Sequence, residues 1–319
     1  MGTSWSQFFP PTPQLTESTL PNQQGKVFLI TGGYSGVGLE LCSLLYHAGG
    51  RVYLAGRDKQ KGEAAIETIK QSSSSSSSSS GEITFLYLSL SDLSTIKPAV
   101  DAFTATESRL DVLFNNAGVS NPPPGSVSAQ SHELQLATNC LGPYLLTQLL
   151  LPTLNHTASI SAPGSVRVTF TSSIVVDFQT LPTQELFALH VPHPSAQQQN
   201  YLHSKIGNWF LAHELDRENP AVTFLVLNPG NLKTALTRHL PAIVPFLVAP
   251  LLYHAKMGAY TALWAGLSTD LSLEDGGGYI IPWGRRHPSP KGDIVRAIEG
   301  GAATRFVGFC EEETREYRA

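Results

Sequence analysis

Cysteine is scarce in this chain, and its pattern excludes two kinds of site. The 319 residues include 3 cysteines, Cys42, Cys140 and Cys310. They are scattered and odd in number, which argues against a disulfide framework and favours a reducing compartment. No two of them have the spacing of metal ligands. We therefore expect a cytoplasmic protein without structural disulfides.

Charge and long apolar runs are also in short supply. Charged residues make up 14% of the sequence, 21 basic against 25 acidic, and no basic run indicates a nucleic-acid surface. The N-terminal extension, residues 1–24, lacks the charged and apolar regions of a secretory signal. We expect it to pack Trp5, Phe8 and Phe9 against the body of the protein. Hydrophobic residues, at 41%, suffice for a sizeable core.

Short apolar runs alternate with helical patterns from Gly25 onward. Strands are predicted at 26–31, 51–56, 83–90, 111–118, 165–173 and 222–230, with a short seventh at 278–281. A long helix is predicted over 132–151, and another carries Tyr201 and runs to about Arg217. The alternation predicts an α/β fold, a single Rossmann-like doubly wound domain. Its central parallel sheet would have about seven strands, with helices on both faces.

A glycine-rich turn follows the first predicted strand. The residues TGGYSGVG, 31–38, open the first helix. Glycine lets the backbone approach a pyrophosphate, whose charge then lies at the helix N-terminus. The spacing is not G-x-G-x-x-G, and a strand–helix turn with incidental glycines is the alternative. The flanking strand and helix favour cofactor binding by Gly32, Tyr34, Ser35, Gly36, Val37 and Gly38.

The stretch YLHSK, 201–205, places a phenol and an ammonium four residues apart. On a helix these two side chains share a face. The charge of Lys205 favours the phenolate and would pull the pKa of Tyr201 down from about 10 toward the working range. Two solvated helix residues are the alternative, because chance copies of this spacing are common.

Four motifs in this order resemble the short-chain dehydrogenases/reductases. They are TGGYSGVG (31–38), NNAG (115–118), YLHSK (201–205) and NPGNLKT (228–234). Within that family, VYLAGRD (52–58) and the long segment between Ser173 and Tyr201 resemble the retinol-dehydrogenase-like branch and its relatives in fungal metabolism. The resemblance covers about residues 25–283, the expected NADP-binding catalytic domain. That domain would include a poly-Ser loop, 72–80, and a substrate lid at about 235–255, with residues 284–319 as a C-terminal tail.

The resemblance implies a catalytic tetrad. Ser173 would bond the substrate oxygen, Tyr201 would transfer the proton, and Lys205 would lower the tyrosine pKa and hold the ribose. Asn139 would support the lysine and a proton-relay water. Ser172 is adjacent to Ser173, and the family register favours Ser173. Donors aimed at a carbonyl oxygen lower the barrier to its reduction, because negative charge develops there.

The resemblance also implies further cofactor contacts. Asn115, Ala117 and Gly118 would line the adenosine side, although a tight turn after a strand is the alternative. Thr234 would bond the nicotinamide amide or a phosphate, with a helix N-cap as the alternative. The remaining members of the set are Asn139, Tyr201, Lys205, Pro229, Gly230 and Leu232.

The end of the second strand indicates which dinucleotide is used. An acidic side chain there would bind the ribose 2′-hydroxyl and repel a 2′-phosphate. Ala55 and Gly56 offer none, and Arg57 comes next. A guanidinium suits a phosphate, so we predict NADP(H) over NAD(H). A surface charge paired with Asp58 or Glu63 is the alternative.

One position departs from the family pattern. Relatives usually carry an aspartate near the end of the third strand, where it reaches the adenine amino group. Ser89 stands there in this chain, and Asp92 lies three residues later. This departure concerns adenine affinity and not hydride transfer. Asp92 is also placed to cap the helix that follows.

Two segments would shape the substrate side. The first, 174–200, contains His190 and His193, which resemble loop histidines, and no metal is predicted because carboxylate or thiol partners at suitable spacing are lacking. The second, 240–255, has no charged residue before His254 and is too short and proline-broken to span a membrane. Its position favours a lid over an interfacial membrane patch. Either use implies a hydrophobic substrate.

These observations lead to one main hypothesis. The chain is predicted to be an NADPH-dependent oxidoreductase that interconverts a carbonyl and a secondary or primary alcohol on a hydrophobic metabolite, in secondary metabolism. The alternative is a non-catalytic NADP-binding sensor or scaffold, a class that typically loses the tyrosine or the lysine. Family members are commonly dimers or tetramers, so the resemblance admits a homo-oligomer.

Overall fold

Eight strands form one sheet in the computed structural model, which describes residues 3–72, 81–193, 195–233 and 252–318. The order across the sheet is β3-β2-β1-β4-β5-β6-β7-β8. The strands are β1 (Val27–Thr31), β2 (Arg51–Gly56), β3 (Glu82–Tyr87), β4 (Val112–Asn115), β5 (Arg167–Thr171), β6 (Thr223–Leu227), β7 (Tyr279–Ile281) and β8 (Arg285–Arg286). Neighbours from β3 to β7 pair in parallel, and β8 pairs antiparallel with β7. The predicted α/β fold is confirmed, and β8 is an additional strand.

Helices connect the strands. Those of the first half are α1 (Thr3–Phe8), α2 (Gly36–His47), α3 (Lys59–Gln71), α4 (Ile96–Thr104), α5 (Leu134–Leu136) and α6 (Gly142–Ser159). Those of the second half are α7 (Val175–Phe178), α8 (Thr183–Leu186), α9 (Gln197–Glu218), α10 (Ala255–Leu267), α11 (Gly292–Glu299) and α12 (Ala302–Thr314). A π-helical turn, Ala137–Leu141, joins α5 to α6. The single long helix predicted over 132–151 is therefore interrupted.

The sheet separates two apolar layers. One face packs against side chains of α4, α6, α9 and α12, and the other against α2, α3 and α10. Strands β1, β4 and β6 are buried along their whole length, as expected for a parallel sheet covered on both faces. The carboxyl ends of these strands lie at one edge of the sheet, where ligands bind in open α/β sheets.

The C-terminal residues belong to the body of the domain. Phe306, Val307 and Cys310 of α12 are buried in the same apolar layer as α9. Gly207 permits this close packing, because a Cβ there would lie 2.7 Å from the ring of Phe306. Within the stretch predicted as a C-terminal tail, residues 285–314 fold as β8, α11 and α12, which extend the sheet and cover α9.

The N-terminal extension packs through an unexpected residue. Gln7 is fully buried, whereas the exposed fractions of Trp5 and Phe9 are 56% and 49%. Phe8 contacts Phe178, with ring centroids 5.6 Å apart. The expectation that Trp5 and Phe9 pack against the body was wrong, because α1 turns the side-chain amide of Gln7 toward the interior instead.

Three expectations fall on parts of the chain outside the described residues. Most of the serine tract, 73–80, is among them, and so are Thr234 and the greater part of the predicted lid, 235–251. Among the helices that are described, none combines the length and the apolar character that crossing a bilayer requires.

Candidate active site

The glycine-rich turn lies at the carboxyl end of β1. Gly32 and Gly36 have φ angles of 68° and 56°, a region that favours glycine. A Cβ on Gly38 would lie 2.5 Å from the carbonyl oxygen of Gly32, so only glycine fits this first turn of α2. Ser35 is the N-cap residue of α2 but its side chain makes no capping hydrogen bond. The first N–H groups of α2 therefore have no side-chain cap and suit a phosphate.

The turn after β4 is fastened to the glycine-rich turn. The Thr31 hydroxyl accepts hydrogen bonds from the backbone N–H groups of Asn116 and Ala117, both at 3.0 Å. The Asn116 side chain donates in return to the carbonyl oxygen of Thr31 at 2.9 Å. These contacts hold the two motifs side by side, although 85 residues separate them in sequence.

The side chain of Asn115 faces the interior of the domain. It is buried and donates to the hydroxyl of Thr147 on α6 at 3.2 Å. Its amide is therefore engaged with α6, and a place for Asn115 on the adenosine side stays a prediction. Asn116, which sequence reasoning left out of the site, holds the turn instead. The repeated asparagine in NNAG was the available signal, but spacing alone does not tell which one faces inward.

Arg57 lies exposed, one residue after β2. Its two potential partners are otherwise engaged, because Asp58 pairs with Lys61 at 2.7 Å and Glu63 pairs with Lys59 at 3.7 Å. Among the residues that the structure describes, no ion pair involves Arg57. The ring of Tyr34 packs directly over Gly56, where a Cβ would lie 2.2 Å from it. Tyr34 and Arg57 thus flank the ends of β1 and β2.

Tyr201 and Lys205 lie on α9 beside the end of β5. The Lys205 ammonium lies 5.4 Å from the centroid of the Tyr201 ring and donates to the carbonyl oxygen of Thr171 at 2.8 Å. The side chain of Ser173, just after β5, lies close enough to Tyr201 to influence its pKa. Ser172 is buried and donates to the carbonyl oxygen of Lys205 at 2.8 Å. The structure therefore places Ser173, and not Ser172, against Tyr201.

Burial dominates the proton affinities of this pair. It lowers the pKa of Lys205 from 10.5 to about 8, since the loss of solvation exceeds the opposite effect of Cys140. Burial raises the pKa of Tyr201, and the nearby side chain of Ser173 acts in the opposite direction. The net direction is opposite to the one expected from the sequence, because desolvation is the larger of these two effects.

Asn139 lies in the π-helical turn and is buried. Its side chain clamps Val119 by accepting from the backbone N–H at 2.8 Å and donating to the carbonyl oxygen at 3.0 Å. It also donates to the hydroxyl of Ser204 at 2.9 Å. A Cβ on Gly118 would lie 3.1 Å from Asn139 Oδ1 and 3.3 Å from Lys205 Nζ. Asn139, Gly118 and Lys205 thus meet at one point, and π-helical turns are frequent at functional sites.

The turn after β6 closes the other side of the site. Gly230 has a φ of 97°, and its N–H donates to the side chain of Asn228 at 2.9 Å. A Cβ on Gly258, in α10, would contact Leu232, Val37 and the carbonyl oxygen of Pro229. The predicted cofactor residues Pro229, Gly230 and Leu232 therefore lie beside the start of α2.

The hydrogen bonds of Ser89 and Asp92 show what these two residues do near the position where relatives carry an adenine-binding aspartate. The Ser89 hydroxyl lies 3.3 Å from that of Ser91, and its backbone is tied to Thr95. Asp92 caps the next helical turn by accepting from Ser94, as predicted, and also accepts from Gln130 at 3.0 Å. These hydrogen bonds lower the pKa of Asp92. Its carboxylate is committed to the loop and is not placed as an adenine ligand.

A polar network next to Ser173 was missed by sequence reasoning. Gln7 donates to Asp177 at 2.7 Å and accepts from Asn228 at 2.8 Å. Asp177 also lies 3.2 Å from the Nε2 of His287. The network joins α1, α7, the turn after β6 and the residues after β8. Its members are 110 to 221 residues apart, so no local pattern could reveal it.

The substrate-side segment is described except for residue 194. His190 packs on Phe309, with ring centroids 4.8 Å apart. His193 lies against Glu185 and His203, partners that sequence spacing did not indicate. Of the predicted lid, only residues 252–255 are described; the Tyr253 hydroxyl donates to the carbonyl oxygen of Phe8 at 3.0 Å. The N-terminal extension thus contacts both substrate-side segments.

Comparison with known proteins points in one direction. Residues 26–180 match the family model described as short chain dehydrogenase. A short-chain dehydrogenase/reductase of Phomopsis amygdali is 41% identical over 98% of this chain and 97% of the relative. The short-chain dehydrogenase/reductase iacJ of Pestalotiopsis fici is 40% identical over 99% of this chain and 98% of the relative. A solved structure of an uncharacterized protein from Mycobacterium Paratuberculosis superposes with a TM-score of 0.68 at 28% identity, covering 95% of this chain and 98% of that one.

Proposed function

Because the chain belongs to the short-chain dehydrogenase/reductase family, we propose that it is an NADPH-dependent oxidoreductase. It would interconvert a carbonyl and a secondary or primary alcohol on a hydrophobic metabolite, in secondary metabolism. The family uses a nicotinamide dinucleotide, and the curated relatives named above are fungal proteins. One observation carries the proposal: the side chain of Ser173 and the buried ammonium of Lys205 both lie beside Tyr201.

The residues of this chain divide the chemistry among them. When bound, the dinucleotide supplies or accepts the hydride. Ser173 holds the substrate oxygen, and Tyr201 transfers a proton at its hydroxyl. Lys205, held by Thr171, keeps a positive charge beside the ring of Tyr201 below pH of about 8. Asn139 fixes the backbone at Val119 and thereby the floor of the site.

The glycine-rich turn supports dinucleotide binding. The packing of Gly38 against Gly32 leaves no room for a side chain, and the first turn of α2 carries no side-chain cap. Both features suit close approach of a pyrophosphate. Preference for NADP(H) is supported by the exposed guanidinium of Arg57, because the carboxylates that would otherwise pair with it bind lysines.

The surroundings of the site support an apolar substrate. Phe178 is 50% exposed and lies next to Phe8 on the substrate side. Tyr253 and Trp283 meet edge to face at 5.0 Å, and the ring of Trp283 packs against Gly230. Aromatic side chains bury large apolar areas when a ligand covers them. Asp177, which follows Ser173 by four residues, is already paired with His287 at 3.2 Å.

The test is a Tyr201→Phe variant assayed with a panel of apolar ketones, aldehydes and alcohols. Loss of the proton donor should lower kcat by about 10²- to 10⁴-fold while the Kd for NADPH changes little. Tyr87→Phe is the matched control, because Tyr87 is 52% exposed and lies outside the site. Unchanged turnover in Tyr201→Phe would refute the proton-transfer role. Tight NADPH binding without turnover of any carbonyl by the wild-type protein would favour the sensor alternative.

A further inference from the structure

Two histidines and a glutamate converge on the outer side of α9. The Nε2 atoms of His203 and His193 lie 2.7 and 3.7 Å from Oε1 of Glu185. The three ligating atoms all lie within 4.8 Å of one another. Zinc bonds of about 2.0–2.2 Å to nitrogen and oxygen place tetrahedral ligands about 3.4 Å apart. An ion would therefore fit between these atoms after shifts of less than about 1 Å.

The three side chains come from different elements and are individually held. His203 is on α9 and buried, Glu185 is on α8, and His193 lies in the loop between them. Asn200 holds the backbone of His193 at both its N–H and its carbonyl oxygen, at 2.8 and 2.9 Å. Gln199 donates to the carboxylate of Glu185. Such outer contacts orient metal ligands, and their loss typically weakens binding about 10- to 100-fold.

The donor set also suits a cation. It consists of two imidazole nitrogens and one carboxylate oxygen, which are ligands that zinc-like ions prefer.

The cluster lies away from the proposed reaction. His203 follows Tyr201 by two residues on α9, which is about 200° around a helix. It therefore projects to the side opposite Tyr201 and Lys205. An ion here would tie α8 and the loop at His193 to the helix that carries the catalytic pair, and would fasten the substrate-side segment without touching the substrate.

We propose that Glu185, His193 and His203 form a binding site for a divalent zinc-class ion that fastens α8 and the loop residue His193 onto α9. The side chain of His193 is 40% exposed, which leaves an entry path and room for a water as fourth ligand. Within the described parts of the chain, no other group of three or more His, Cys, Asp or Glu side chains converges in this way. This proposal does not depend on the proposed function.

The experiment uses the full-length, tag-free protein after treatment with EDTA and dialysis. Zn²⁺ is titrated by calorimetry and Co²⁺ by visible absorption, and Tm is measured with and without Zn²⁺. The variants are His193→Gln and Glu185→Gln, which keep hydrogen-bonding capacity. His190→Gln is the matched control, because His190 lies three residues away and packs only on Phe309 among its ring contacts.

We expect the wild-type protein and His190→Gln to bind one equivalent of Zn²⁺ and to show a higher Tm when it is present. Binding to His193→Gln and Glu185→Gln should weaken by at least ~100-fold, more than the loss of an outer contact would cause. In His193→Gln the rise in Tm with Zn²⁺ should be largely lost, whereas turnover in the proposed reductase assay should stay close to that of the wild-type protein. Absence of saturable binding to the wild-type protein, or equal binding by His193→Gln, would overturn the proposal.

Discussion

Replacing Lys205 by methionine should stabilise the cofactor-free protein at neutral pH while abolishing its proposed activity. Lys205 is 3% exposed and has no carboxylate partner among the described residues, so burial lowers its pKa from 10.5 to about 8. At about 1.4 kcal/mol for each tenfold change in proton affinity, the charged side chain destabilises the fold by about 3 kcal/mol below pH 8. Methionine fills a similar volume without that charge.

One hydrogen bond is lost in the exchange, but its acceptor keeps a partner. The carbonyl oxygen of Thr171 accepts from Lys205 and also from the side chain of Asn208, each at 2.8 Å. The net contribution of one such bond is about 1 kcal/mol. We therefore expect Lys205→Met to raise the free energy of unfolding by about 2 kcal/mol at pH 7.

The pH dependence of stability provides a second test of the sign of this stability difference. Between pH 8 and 10.5 the unfolded lysine binds a proton that the folded one has released, so the wild-type stability rises with pH. The advantage of Lys205→Met should therefore shrink by about 2 kcal/mol between pH 7 and pH 9.5. Below pH 8 the advantage should stay constant.

Urea unfolding of both proteins at pH 7 and pH 9.5, without cofactor, measures these differences. Lys59→Met is the matched control, because Lys59 is exposed and its pair with Glu63 should contribute less than about 0.5 kcal/mol at either pH. If Lys205→Met were less stable than wild type at pH 7, or if the gap were the same at both pH values, the account of a charged, desolvated lysine would be refuted.

Two further predictions concern Arg57 and Gln7, which lie outside the Tyr201–Lys205 pair. Arg57→Ala should raise the Kd for NADPH about 10- to 100-fold and that for NADH less than about 3-fold, measured by nicotinamide fluorescence, since one charge-assisted bond is lost; Lys59→Ala is the control for a neighbouring charge, and equal losses with both dinucleotides would contradict phosphate recognition. Gln7→Ala should lower the free energy of unfolding by about 1–3 kcal/mol and raise KM for the carbonyl substrate, because Asn228 loses its buried partner. Exposed Gln14→Ala should do neither, and a Gln7 variant with wild-type stability and KM would exclude the bridging role.

The elements that local pattern defines were largely predictable. The seven parallel strands, the turn at Gly32 and the helix carrying Tyr201 follow from apolar periodicity and glycine placement. The π-helical turn around Asn139 was not predicted, because its apolar spacing resembles that of an ordinary helix. Strand β8 is two residues long and too short to leave a pattern.

In the candidate site, too, the features that the sequence could not predict are those that depend on tertiary contacts. The choice between Ser172 and Ser173, the inward direction of Asn115 and the buried role of Gln7 depend on contacts between residues distant in sequence. Hydrophobic spacing predicts which face of an element is buried. It does not predict which polar groups from other elements contact that face.

The sequence by itself determined that a phenol and an ammonium share one helix face and that a glycine-rich turn follows the first strand, because i, i+4 spacing and glycine conformations are local properties. Only the tertiary structure decided their chemistry. Burial lowers the pKa of Lys205 and raises that of Tyr201. The folding of the chain brings Glu185 close to His193 and His203. Desolvation and convergence depend on the whole chain folded around a residue, and no window of neighbouring residues contains that information.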